Sequence, residues 1–97
     1  MISKHTLADC AIHNEKMRKT WNQIYANMPQ LLKKHGIKIL GSWAVMSEHT
    51  IYFVFDAPTL EAWQKYVMEP DMMTWLGTNT TQIKMAAPLE QAAKTLQ

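Results

Sequence analysis

The sequence predicts an α+β fold of the ferredoxin-like kind, an antiparallel four-stranded sheet with two helices on one face, in the order β-α-β-β-α-β. Three observations predict it. Apolar residues from Met17 to His35 recur at alternating spacings of four and three, the mark of a helix with one buried face. Two strand-like segments, 37–46 and 50–55, follow, separated by a short polar connection of hairpin length. A capped helical pattern and a last β-capable stretch complete the order.

Taken in order, Met1 to Lys4 can begin a strand, and His5 to His13 is a mixed connecting segment. A helix starts near Asn14, with Met17, Trp21, Ile24, Met28, Leu31 and His35 along one face. Pro29 lies inside it and is expected to kink or divide it, because proline removes a donor and crowds the preceding turn. Gly36 is a stop signal. Ile37 to Met46 reads as a strand, with Ile37, Ile39, Trp43 and Val45 on one face and Leu40, Ala44 and Met46 on the other; Gly41 signals a bulge or a close backbone approach. Thr50 to Phe55 is apolar on both faces, which implies a sheet covered on both sides. Thr59 suits an N-cap, and Glu61 in the first turn suits the helix dipole. Leu60, Trp63 and Val67 share a face of this second helix, and Pro70 ends or bends it. Asp71 to Leu76 supplies one further turn that Gly77 closes, Thr80 to Ala86 is the last strand, and Pro88 opens a tail of helix formers from Leu89 to Leu96. The expected division is a domain over 1–87 with a helical tail over 88–97.

Ninety-seven residues make one domain, yet 47% of them are apolar, with eight Met and four Trp. That is much apolar surface for one small core, so a homodimer or higher homo-oligomer is expected. The net charge is +2, and the basic residues are scattered apart from Lys33-Lys34, so no nucleic-acid footprint is present. The single cysteine, Cys10, allows no intrachain disulfide. No apolar run has signal-peptide or bilayer-spanning length, so a cytoplasmic location and no membrane partner are expected.

The stretch His49 to Met68 (HTIYFVFDAPTLEAWQKYVM) resembles the muconolactone isomerase family, in which a strand ending Phe-Asp-x-Pro-Ser/Thr leads into a helix with Glu-Ala. Gly41-Ser42-Trp43, Glu48-His49-Thr50-Ile51-Tyr52, and an early His5-Thr6 followed by Cys10 also resemble small proteins of the same superfamily, the dimeric α/β barrels. The resemblance implies the fold and a dimer whose sheets close over a shared cavity. Members of that superfamily include cofactor-independent oxygenases, isomerases, haem-degrading enzymes and dehalogenase- or dehydratase-like proteins. The matched stretch is a structural transition, so no isomerase residue carries over.

The topology also predicts where a site should lie. With the first and third strands as antiparallel neighbours, His5 at the end of one meets His49 at the start of the other. The intervening loop carries Cys10 and His13 to the same end, with Asp9 and Glu48 nearby. The preferred expectation is a small organic ligand held in a largely apolar pocket. His5 and His49 would carry protons if chemistry occurs, and Trp43 and Tyr52 would line the pocket. No cofactor is needed for that reading. The alternative is a transition-metal site of His5, Cys10, His13 and His49, since imidazole and thiolate favour zinc, copper or iron. A third class is a non-catalytic assembly module. No Ser-His-Asp order, phosphate-binding glycine loop or paired-carboxylate motif stands out.

Overall fold

The computed structural model describes residues 1–94, so Leu96 of the expected tail helix lies outside the described residues. The chain runs β1 (Ile2–Lys4), α1 (Glu15–Lys34), β2 (Lys38–Val45), a tight turn over Met46–Glu48, β3 (Thr50–Asp56), α2 (Leu60–Val67), α3 (Pro70–Thr78), β4 (Thr80–Gln82) and α4 (Leu89–Lys94). It is an α+β fold whose four strands lie in the order β2-β3-β1-β4, with every neighbouring pair antiparallel. This arrangement is compatible with a ferredoxin-like fold.

Helix α1 begins where Asn14 accepts a hydrogen bond from the Met17 amide at 3.1 Å. It buries Met17, Trp21, Ile24, Met28 and Leu32. The deeper residue of its last turn is Leu32, not Leu31, which is only partly buried. Pro29 does not divide the helix, which is continuous across it. The buried anchors Met28 and Leu32 on either side of the proline hold both halves on the core, which offsets the one missing backbone bond. The helix ends in a Schellman pair: Gly36 at φ +68° donates to Lys33 O at 3.1 Å, and Ile37 to Leu32 O at 2.9 Å.

The strand β2 carries the bulge expected near Gly41, since the register with β3 shifts between Ile39 and Gly41. That extra residue moves Ile39 off the face that holds Trp43. Trp43 opposes Tyr52, and its indole lies over Gly41, where a Cβ would collide with the ring. Thr59 caps α2 by accepting from the Ala62 amide at 3.0 Å. Pro70 does not merely end α2; it opens α3 at a first-turn position, where its missing N–H costs nothing. Gly77 does not close α3. The helix runs on to Thr78, and the Asn79 amide donates to Trp75 O at 2.9 Å, so a side chain satisfies the end that a glycine turn would have. The last strand is Thr80–Gln82, shorter than Thr80 to Ala86, because β1 offers only Ile2 to Lys4 to pair with it.

Helices α1, α2 and α3 cover one sheet face. Phe53 stands edge-on to Trp75 of α3 at 5.8 Å, Phe55 lies 5.1 Å from Trp63 of α2, and Trp21 of α1 lies 5.0 Å from Trp75. Trp75 is fully buried and donates to Ser3 Oγ at 2.9 Å, and Ser3 in turn shares a hydrogen bond with Thr81 at 3.1 Å. One indole thus ties α3 to β1 and β4. The opposite face carries Ile2, Trp43, Tyr52 and Val54. In the single chain Trp43 and Val54 are exposed, on the face for which a second copy of the sheet is the expected cover.

Candidate functional site: a histidine–cysteine cluster at one end of the sheet

The β1–β3 ladder builds the site. Lys4 opposes Thr50, and the pairing continues one step further as the His5 amide donates to His49 O at 3.1 Å. The two histidines are therefore neighbours across the ladder, and their rings meet edge to face at 5.3 Å. His5 falls on the helix side of the sheet, where its ring stands edge-on to Trp21 of α1 at 4.8 Å.

Cys10 reaches the same place through a stitched loop. Thr6 O accepts from the Asp9 amide at 3.2 Å, and Leu7 O accepts from Cys10 at 3.2 Å. Cys10 O accepts from both His13 and Asn14, at 3.0 and 2.9 Å. Asn14 and Arg18 lash the loop to α1 by donating to Ala8 O, Ala11 O and Ile12 O, each at 3.0 Å. These turns direct Cys10 inward, where it is 3% exposed, and leave His13 on the surface.

His5, Cys10 and His49 form a group in which one potential ligand atom of each lies within 4.8 Å of the others. A tetrahedral zinc ion holding two imidazoles and a thiolate brings such atoms to roughly 3.3–3.6 Å of one another, so closure needs side-chain shifts on the order of 1 Å. His5 is 8% exposed, and neither of its ring nitrogens has a hydrogen-bond partner. Buried imidazoles in proteins almost always have one. Burial first, and the nearby His49 second, pull the His5 pKa below its ordinary value, with Asp9 opposing them. Burial and the neighbouring His49 thus disfavour the charged ring, and it is the neutral ring that binds a metal.

His49 carries the only positive φ of a non-glycine residue among those described, φ 51° and ψ 41°. The left-handed region is costly for an L side chain, and such outliers concentrate where a side chain must be aimed. The turn Met46–Glu48 imposes it, with the His49 amide donating to Met46 O at 3.3 Å and Thr50 Oγ1 donating to Glu48 O at 2.9 Å.

The structure thus brings together His5, Cys10 and His49 and leaves out His13. Trp43 and Tyr52 are paired, but on the uncovered face of the sheet, away from the histidines on the helix side. A feature that sequence reasoning missed lies at the far end of β3. There a groove of about 840 Å³ opens, lined among others by Phe55, Leu60, Trp63, Ile83 and Met85. It lies beyond the β1–β3 pairing, between the end of β3, the start of α2 and the segment after β4. The length of β3 puts it about 20 Å from His49. Comparison with known proteins adds no identity: no family model, no curated protein and no solved structure matches this chain.

Proposed function

We propose that this chain is a metal-binding protein, holding one zinc-, copper- or iron-class ion through the His5 and His49 imidazoles and the Cys10 thiolate. The observation that carries the reading is His5: a buried imidazole with two unpartnered nitrogens, set beside a second imidazole and a buried thiol. Nitrogen and sulfur donors of this kind select transition metals over magnesium or calcium, which take oxygen. The test is metal content by mass spectrometry on untagged protein, with Cys10→Ser and His49→Ala beside it. One equivalent per chain that falls in both variants is expected. A wild-type chain that retains no metal after loading and dialysis overturns the proposal.

The reading includes the setting of the site. The strand order supports a ferredoxin-like domain of the dimeric α/β-barrel type, and the exposed Trp43 and Val54 beside Ile2 and Tyr52 support pairing of two copies through that face. Trp43→Asp is expected to yield a monomer by sedimentation. A wild-type chain already monomeric at high concentration refutes the pairing.

The groove favours a second reading, a small organic ligand bound there. Its volume is in the usual range for ligand sites, and Trp63 in its wall gives a fluorescence readout. At that distance the histidines do not serve as proton carriers for such a ligand. Absence of any Trp emission change with planar apolar compounds in folded wild type removes this reading.

A further inference from the structure

We infer that the ion held by His5, Cys10 and His49 keeps one coordination position open for an exchangeable small ligand, water or hydroxide or a monodentate anion. The inference rests on the metal-binding reading above and adds what the centre does with its fourth position. Three observations support it.

The first is the ligand count. The group contains two histidines and one cysteine, and no fourth His, Cys, Asp or Glu among the described residues joins it. Zinc and its neighbours take four ligands in closed structural sites, whereas sites with three protein ligands keep a position for water or substrate. Asp9 is the acidic residue nearest in sequence to the cysteine, but it lies outside the group and its carboxylate accepts a hydrogen bond from Thr6 Oγ1 at 3.2 Å. Glu48, on the other side, is exposed.

The second is direction. His5 and Cys10 are buried, while His49 is only partly so. His5 is backed by Trp21, so the inner side of the cluster is filled by an indole. The side of the cluster toward the partly exposed His49 ring is therefore the side we assign to the open position.

The third is charge. Two neutral imidazoles and one thiolate leave a divalent ion with a net charge of about +1. A cation against an apolar wall favours an anionic fourth ligand, and a bound water is made more acidic there. That charge sets the ligand class: small anions and hydroxide, in preference to neutral or cationic molecules. A centre of this kind is suited to Lewis-acid activation of the molecule in its open position.

The test uses the full chain loaded with cobalt(II), whose visible bands report its coordination. Cobalt is first counted per chain by mass spectrometry, in wild type, Cys10→Ser and His49→Gly. Sodium thiocyanate is then titrated into the loaded wild type. A saturable change in band position and intensity, with cobalt still bound at one per chain, is the expected result. One cobalt per chain with bands that do not respond to thiocyanate overturns the open position while leaving the metal site standing; the fourth ligand would then come from the protein. No cobalt retained by wild type, or equal retention by both variants, overturns the metal reading and the open position with it. Because His49 sits in a surface turn, His49→Gly retains the fold even if Cys10→Ser does not.

Discussion

The backbone at His49 gives the sharpest test of how the site is built. Replacing the residue by Gly and by Ala removes the imidazole in both cases, so the two variants differ only in what the main chain tolerates at φ 51°. A left-handed L residue costs about 1–2 kcal/mol. Against this, glycine costs about 0.4–1 kcal/mol through the entropy of the unfolded chain. The balance favours His49→Gly over His49→Ala by about 0.5–1 kcal/mol, the reverse of the order at an ordinary position. For a chain of this size that corresponds to about 3–6 °C in Tm. The assay is thermal and urea unfolding of both variants in chelator, so that metal binding does not enter. With saturating metal, wild type alone should gain, by about 2.7 kcal/mol at a hundredfold excess over Kd. If His49→Ala is as stable as His49→Gly, the turn does not hold residue 49 in the left-handed region, and the argument that the backbone aims this imidazole at His5 fails.

Three other outcomes follow from the packing. The Tyr66 hydroxyl is buried without a partner, and burial, then Asp71, push its pKa up to about 12. Tyr66→Phe is therefore expected to raise stability by about 1 kcal/mol in urea unfolding, and a comparable loss would show that the hydroxyl has a partner. Trp75→Phe removes the donor to Ser3 and leaves a void in a fully enclosed site; a loss of about 2 kcal/mol is expected, and a change below about 0.5 kcal/mol would contradict the tie between α3 and β1. Lys34, then His35, hydrogen-bond Glu69 at 2.8 Å and hold its carboxyl below the ordinary 4.5. Because the folded pKa is the lower one, this stabilisation is present above pH 4.5 and fades as pH falls through the unfolded and then the folded value. Glu69→Gln should flatten that part of the stability–pH curve and leave the rest parallel, and an unchanged acid limb would refute the assignment.

Much of this molecule follows from local chemistry. The apolar spacing from Met17 onward, Gly36 as a left-handed stop, and Thr59 as a cap each act within a few residues, so each is legible without a fold. The neighbourhood of His5 and His49 is legible too, once the first and third strands are taken as antiparallel partners, because pairing register converts sequence positions into distance. Pro29, Gly77 and the end of β4 resisted such reading. At Pro29 core anchors outweigh a local breaker, at Gly77 the Asn79 side chain does what a glycine turn would do, and β4 ends where its partner ends.

The site divides along the same line. Given the strand order, the sequence by itself placed His5 and His49 at one end of the sheet, with Cys10 and His13 in the adjoining loop. Only the tertiary structure decided that the loop turns Cys10 inward and His13 outward, through hydrogen bonds to Asn14 and Arg18 that no spacing encodes. It also decided which face of the sheet the helices take. Strand alternation separates Tyr52 from Phe53 but is blind to the side on which a helix packs. The placement of Trp43 and Tyr52 opposite the histidines waited on the packing of Trp75 and Trp63 against Phe53 and Phe55, a choice that side-chain shape and burial make only when the whole chain is assembled.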